Sequence, residues 1–341
     1  MASPGMSAMT TVMDIAADAN VSTATVSRVL NGHPSVAEPT RAKVLDSINR
    51  LGYRMNGVAR SLRASSTRSF GLVLPNIRNP FFAEVARAVE VVAMARGVSV
   101  FLGNADENVE KESRYLDVLL DKRVDAILIS PAGSASPLLT EAIARGVPVI
   151  FIDRALPEFD VPSVRTDARS AMDDMVRHLL GLGHRRAAVI SGPLSTITGR
   201  ERHAEFLRAA AQRGLDVDPA LVAEGDFEID GGADAMARIL AADAEPATVV
   251  FAANNLMTLG ALRTLHARGI DVPSQMALVT YDDTPYLALI NPSITTIAQD
   301  AEALGQTAVD LTFAALAGEK PSSVLVPARL IIRRSCGEPA L

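Results

Sequence analysis

Two sets of side chains in this 341-residue sequence are of types that do recognition chemistry. The first is compact: Thr23, Ala24, Ser27, Arg28 and Asn31, a face without an acidic residue. Small side chains allow close approach, hydroxyls and an amide suit phosphate oxygens, and one arginine can grip guanine through two hydrogen bonds in the major groove of DNA. The second set is scattered, each member following a short apolar run: Asn76, Phe81 and Phe82; Asp153 and Arg154; Thr196, Thr198, Arg200 and Arg202; Asp226 and Phe227; Asn254 and Asn255; Asp282 and Asp283; and Gln299. Carboxylates, amides and arginine beside aromatic rings are what a polyhydroxy ligand needs, since each of its hydroxyls both donates and accepts.

Catalytic chemistry finds little support. The five histidines, His33, His178, His184, His203 and His266, show no metal-ligand spacing, and the single cysteine, Cys336, cannot build a structural zinc site. The sequence contains no GxSxG elbow, no GxxxxGK[ST] phosphate loop and no GxGxxG after a strand. Asp282 and Asp283 are adjacent, so their carboxylates should point apart, and His184 reads as a surface turn residue. Neither a metal nor a cofactor is expected, and an enzyme on a nucleotide-binding fold is the weakest reading.

The compact set needs a helix to present it. Val12, Ile15, Ala16 and Ala19 recur at helical spacing, and Thr11 with Asp14 fits a capping box. Asn20 can take the left-handed turn, Ser22 caps a second helix, and Val26, Val29 and Leu30 form its buried stripe. A third helix, about Pro39 to Leu51 and ended by Gly52, adds Val44, Leu45, Ile48 and Leu51. This predicts an all-α helix-turn-helix head, with the second helix as reader. Charge agrees: residues 1–63 hold seven Arg and Lys against four acids, whereas the rest holds 26 against 35. Next comes Asn56 to Ser65, a helix of about two turns at most, marginal in water. Composition leaves two readings, a plain linker or a hinge that becomes helical when DNA and a second copy hold it, with Val58, Ala59 and Leu62 on one side and Leu62 wedged between base pairs in the minor groove.

The scattered set needs strand ends. From Phe70, apolar runs (71–74, 100–102, 126–129, 147–152, 187–190, 249–252, 278–281) alternate with amphipathic stretches (82–96, 110–123, 137–145, 168–182, 200–213, 231–242, 257–268, 301–317). Strand, helix, strand at this interval predicts parallel sheets flanked by helices, and the length suits two lobes with a cleft between them. The expected division is a DNA-binding domain over 1–55, ordered over 10–54; a hinge and linker over 56–68; and a body over 69–336. Its N-lobe would take about 69–166 plus 300–323, and its C-lobe about 167–299 plus 324–336. Apolar residues at 48% and charged residues at 21% are ordinary globular values. One cysteine, no signal-peptide pattern and no run near 18 apolar residues point to the cytoplasm and away from a membrane.

These residues together resemble the lac repressor and galactose repressor family of bacterial transcription regulators, from Thr10 to Arg334. The resemblance rests on DIA...VS..TVSRVLNG (Asp14 to Gly32), TR..V...I..LGY (Thr40 to Tyr53) and N.VARSL (Asn56 to Leu62). It continues through GLVLPNIRNPFF, RGVPVIFIDR, LGHRR, PSITTIAQD and ARLIIRRS. It implies a periplasmic-binding-protein-like α/β effector domain, a homodimer on a palindromic double-stranded operator, and a small-molecule effector of sugar or sugar-acid type. By position, Thr23, Ala24 and Arg28 look like base readers; Ser22, Ser27, Asn31 and Asn56 like phosphate contacts; Leu62 like the wedge, with Thr11 and Ala59 completing the DNA-binding set. Phe82, Asp153, Thr198, Arg202, Phe227, Asn254, Asp282 and Gln299 fall where relatives bind effector. Four residues depart from the pattern: Asn20 for a turn glycine, Thr166 for an aspartate, Glu205 for a helix glycine and Asn255 for an aspartate. A sugar-binding transport protein is the alternative with the same two lobes, but it would lack the basic head.

Overall fold

A computed structural model of the chain describes residues 10–30, 32–53, 66–133 and 136–337. They form two compact units, divided after Thr67. The expectations for Asn31, Asn56, Ala59 and Leu62 lie outside the described residues.

In the first unit three helices, α1 (Val12–Asp18), α2 (Thr23–Leu30) and α3 (Glu38–Arg50), enclose a small core of Ile15, Ala16, Ala19, Val26, Val29 and Val44. The capping box forms: the Thr11 hydroxyl accepts from the Asp14 amide at 3.3 Å, and the Asp14 carboxylate accepts from the Thr11 amide at 2.7 Å. Asn20 takes the left-handed turn at φ 51°, and the Ser22 hydroxyl caps α2 by accepting from the Thr25 amide at 3.1 Å. Arg50 forks onto Asp18 at 2.8 and 3.1 Å, tying α3 to α1. Leu45, expected in the core, is 46% exposed. The inward stripe of α3 runs through Val44, Ser47, Ile48 and Leu51, and Leu45 lies about 100° around the helix from Val44.

In the second unit strands and helices alternate. The first stretch is β1 (Ser69–Leu74), α4 (Pro80–Ala95), β2 (Ser99–Asn104), α5 (Val109–Asp121), β3 (Ala126–Ile129), α6 (Pro137–Ala144), β4 (Val149–Ile152) and β5 (Ser163–Asp167). The next is α7 (Arg169–Gly181), β6 (Ala187–Ser191), α8 (Ile197–Arg213), β7 (Val222–Glu224), α9 (Ile229–Ala241), β8 (Val249–Ala252) and α10 (Asn255–Ala267). The chain finishes with β9 (Ala277–Tyr281), α11 (Pro285–Leu289), β10 (Thr295–Ala298), α12 (Ala301–Leu316), β11 (Val324–Pro327) and β12 (Arg329–Ile331). Two six-stranded sheets result, in the orders β11-β5-β4-β3-β1-β2 and β12-β10-β9-β8-β6-β7, parallel except for β12 on β10. Central strands such as β3, β4 and β8 are buried along their whole length, as strands covered by helices on both faces must be.

The chain passes between lobes after β5, after β10 and at Ala328. Of the residues expected in the C-lobe, Val324–Pro327 instead pair with β5 on the first sheet. The preceding helix α12 packs against α4 and β4, which returns the chain to the edge of that sheet, and pairing there satisfies edge groups that would otherwise stay open. His184, expected to be a surface turn residue, is half-buried; its ring nitrogens lie 2.8 Å from the Thr248 hydroxyl and 3.0 Å from the Cys336 carbonyl, clamping two loops of the second lobe.

The helices α9 and α10 meet where Gly260 faces backbone, and a Cβ there would overlap the Ile229 carbonyl oxygen and the Ala233 nitrogen. Helix propensity alone favours alanine by about 1 kcal/mol. Overpacking costs about 1–3 kcal/mol and yields slowly when the obstacle is backbone. Gly260→Ala is therefore expected to lower the calorimetric Tm of the body, and a Tm at or above the parent value would contradict this packing.

Candidate functional site

On the first unit Thr11, Ser22, Thr23, Ala24 and Arg28 are exposed and Ser27 is half-exposed, while Val26 and Val29 face the core. The outward face of α2 is thus the expected one. Thr11 and Ser22 also serve as helix caps, so those two hydroxyls fix the starts of α1 and α2 as well as facing solvent.

In the second unit the loops leaving the carboxyl ends of both sheets converge between the lobes. Arg202, on the first turns of α8, is at the floor. Its Nη1 donates to Asp282 Oδ2 and to the Ala253 carbonyl, each at 2.9 Å, and its Nη2 lies 3.9 Å from Asp153 Oδ1. The guanidinium stacks over the Tyr281 ring at 3.9 Å. Burial pulls the Arg202 pKa down, but Asp282, Tyr281 and Asp153 together hold it above the ordinary value, so the group stays charged. Asp282 is held further by Gln299, whose amide donates to Oδ1 at 2.6 Å and whose carbonyl accepts from Thr166. Asp283 points the other way, into a two-pronged pair with Arg333 at 2.7 and 2.9 Å, so the adjacent carboxylates do diverge.

Asp153 is different. Among the described residues its cationic neighbours are Arg202 and Arg154, 3.9 and 4.0 Å away, and its Oδ2 is buried without a hydrogen-bond partner. Burial, opposed by the two arginines, pushes its pKa up to about 6. Thr198 Oγ1 is likewise buried and unpartnered. Asp153, Phe227 and Asp282 all have left-handed backbone, at φ 63°, 66° and 70°. Such strain in residues other than glycine persists only where surroundings impose it, and it concentrates at functional sites. Gly192 makes room for the ring of Phe227: a Cβ there would overlap it.

The eight expected effector residues do come together, but in two neighbouring spaces. Phe82, Phe227, Asn254 and Asp282, with Asp153, Thr198 and Arg202, line a slot of only about 20 Å3. The Arg154 guanidinium occupies it, 6.0 Å from the Phe82 centroid and 5.8 Å from that of Phe227. It is fixed by two hydrogen bonds to Glu107 at 2.7 and 2.8 Å and one to the Pro131 carbonyl. Asn254 lines the slot with its amide already engaged, donating to the Phe227 carbonyl and capping α10. Alongside lies a cavity of about 320 Å3, bounded by Asp153, Thr198, Arg202 and Gln299 together with Thr166, Arg169, Glu201, Glu205 and Tyr281.

Contacts across the cleft join the lobes. Glu228 accepts from Asn76 and Arg78, both at 2.7 Å; Asn255 donates to Asn79 at 2.9 Å; Arg165 pairs with Glu201 at 2.9 Å. Asn255 makes a donor's contact that the aspartate of the family pattern could not. Arg154 was legible as a strand-end polar residue, but Glu107 and Glu201 lie outside the strand-end set, on the loop before α5 and on α8.

The raised Asp153 pKa has a definite sign. The folded protein holds its proton up to about pH 6, above the ordinary carboxyl range, so the penalty on folding builds as pH rises from 3.8 to about 6, is complete above that, and is relieved as pH falls back through the same range. Asp153→Asn, which tolerates left-handed backbone, removes the penalty and leaves Arg202 paired with Asp282. The variant is expected to gain roughly 1–3 kcal/mol at pH 7.5 and little at pH 4.5, measured by thermal unfolding. A loss of stability at pH 7.5 would mean that Asp153 is a stabilising partner.

With the geometry established, comparison with known proteins is informative. Residues 67–334 match the family model of periplasmic binding proteins and the sugar binding domain of the LacI family, and residues 11–56 match that of the lacI family of bacterial regulatory proteins. The chain is 34% identical to catabolite control protein A of Priestia megaterium over 328 residues, covering 95% of this chain and 98% of that protein. It is 36% identical to the HTH-type transcriptional repressor PurR of Escherichia coli O1:K1 over 334 residues, covering 97% and 98%. Among solved structures, the lac repressor dimer bound to operator and the anti-inducer ONPF superposes with a TM-score of 0.85 at 28% identity, covering 97% of this chain and all of that one. Head, paired lobes and relatives agree, and the chain belongs to the lacI family of bacterial regulatory proteins, DNA-binding repressors that act on operators as dimers and answer to small-molecule effectors.

Proposed function

We propose that α2 reads each half of a palindromic operator through Thr23, Ala24 and Arg28. Ser22, Ser27 and Asn31 of the head, with Thr11 at its first cap, meet the backbone, while the hinge of residues 56–68 adds Asn56, Ala59 and the Leu62 wedge. The same reading makes the interlobe cleft the effector site. Asp153, Thr198, Arg202 and Gln299 open onto the ligand-sized cavity, and Phe82, Phe227, Asn254 and Asp282 hold the floor behind them. The protein acts in the cytoplasm, where its DNA is, as a regulator and not as an enzyme. The observation carrying the reading is convergence: residues that follow seven different strands meet at one cleft, with buried polar atoms left open there.

A ligand regulates only through differential affinity for the two lobe arrangements. A coupling of about 1–3 kcal/mol gives a roughly 5- to 150-fold change in operator affinity. The interlobe links Asn79–Asn255, Glu228–Arg78 and Arg165–Glu201 are what a ligand would strengthen or break.

Two outcomes are expected. Arg28→Ala should weaken binding to the selected operator by about 1–3 kcal/mol while changing binding to random DNA much less, in fluorescence anisotropy at fixed salt. Equal losses on both DNAs would remove Arg28 as a base reader. In a thermal-shift screen of neutral sugars, amino sugars, sugar acids and purines, at least one class should raise the Tm of the body. Silence across the whole screen would remove the cleft as the effector site.

A further inference from the structure

The slot between Phe82 and Phe227 is filled by the protein's own arginine, and the room left there is that of about one water. Emptying it would strip Arg154 of three hydrogen bonds, two of them to a carboxylate, in a buried setting. The flank cavity, about 320 Å3, needs no such displacement and falls within the ligand-pocket range of about 300–1,000 Å3. Three unpartnered buried atoms belong to residues that border it: Asp153 Oδ2 and Thr198 Oγ1, on residues 6% and 5% exposed, and the donor Arg165 Nε. Of these, the Asp153 oxygen wants a donor and the Thr198 hydroxyl takes either role.

The charges of the wall narrow the class. Its acids are Asp153, Asp167, Glu201 and Glu205; its cations are Arg165, Arg169 and Arg202. Every one of those arginines already has a carboxylate, Arg202 with Asp282 at 2.9 Å, Arg165 with Glu201 at 2.9 Å and Arg169 with Glu205 at 3.8 Å. An anionic ligand would meet arginines already paired with carboxylates, whereas a cationic one would meet Asp153, whose cations stand 3.9 and 4.0 Å away, and would share Glu201 and Glu205 with Arg165, Arg169 and Arg208. Thr166 and Glu205, two of the four departures from the family pattern, both stand in this wall.

Resting on the proposed reading of the cleft as the effector site, we infer that the effector lies in the flank cavity and is an amine-bearing polyol. Its ammonium faces Asp153, Glu201 and Glu205, and its hydroxyls reach Thr198 and Gln299. The groups that bear on Asp153 are Arg202 and Glu201 from α8, Arg154 from its own loop, and Asp282 and Tyr281 from the end of β9. Because an ammonium requires the ionised form, affinity falls as pH drops through about 6.

The test is calorimetric titration of the full chain with matched trios: glucose, glucosamine and glucuronate; galactose, galactosamine and galacturonate; mannose, mannosamine and mannuronate. At pH 7.5 one amino sugar should bind at least about 10-fold tighter than its neutral analogue, with its acid undetectable. Glu205→Gln, and separately Glu201→Gln, should cut that preference several-fold, and the amine's affinity should drop at pH 5.5. An acid binding as tightly as the amine, a preference untouched by both glutamine variants, or no binding by any amino sugar would each overturn the inference. If acids or purines answer the thermal screen while amines do not, the charge assignment fails and the cleft reading stands; silence from every class overturns both.

Discussion

A guanidinium buried between carboxylates governs the regulatory body. Arg202 is set by α8 under the second lobe, yet it faces Asp282 of that lobe and Asp153 of the other. Desolvating three charges is tolerable only if each finds a partner, and here the supply is uneven. Asp282 receives a close hydrogen bond from Arg202 and another from Gln299, whereas Asp153 receives neither. The lobe arrangement therefore contains one carboxylate whose electrostatic needs are unmet, located where the two halves meet.

Apart from Ile197, which packs against an apolar cluster of the first lobe, the remaining interlobe contacts described above are polar, made by side chains on loops, on β5 and on the first turns of helices. Apolar cores lie within the lobes, not between them, as the separate clusters around Phe206 and Phe251 and around Phe70 and Phe82 indicate. Hydrophobic burial thus keeps each lobe rigid while the join is left to interactions of modest net strength. That division of labour makes the angle between lobes, and not the lobes themselves, the soft coordinate.

The sequence made the buried parts of this arrangement legible and the half-exposed parts obscure. β3 and β8 are continuous apolar runs and were bounded to the residue, and the turn at Asn20 announced itself through residue type. β11, whose Leu325 is largely exposed, lacks such a pattern because an edge strand needs only backbone partners, and its neighbour β5, reading SVRTD, is buried only over its first two residues. Placement of the cleft residues at strand ends was readable for the same reason the strands were. What could not be read was direction. Asp153 turns through a left-handed residue, which aims Arg154 between two rings contributed by different lobes, and no local pattern encodes that meeting. Likewise Leu45 needed only one step around a helix to leave the core.

The crossing strands carry a consequence for how the molecule comes into being. β11 seals the first sheet against β5, about 160 residues earlier, and β12 completes the second against β10, so neither sheet is finished until the last strands have left the ribosome. The head, by contrast, draws its entire core from Val12 to Tyr53, close neighbours in sequence that fold rapidly. During synthesis the DNA reader is assembled first and the lobes that govern it last. Regulation in this chain is the final property to be acquired.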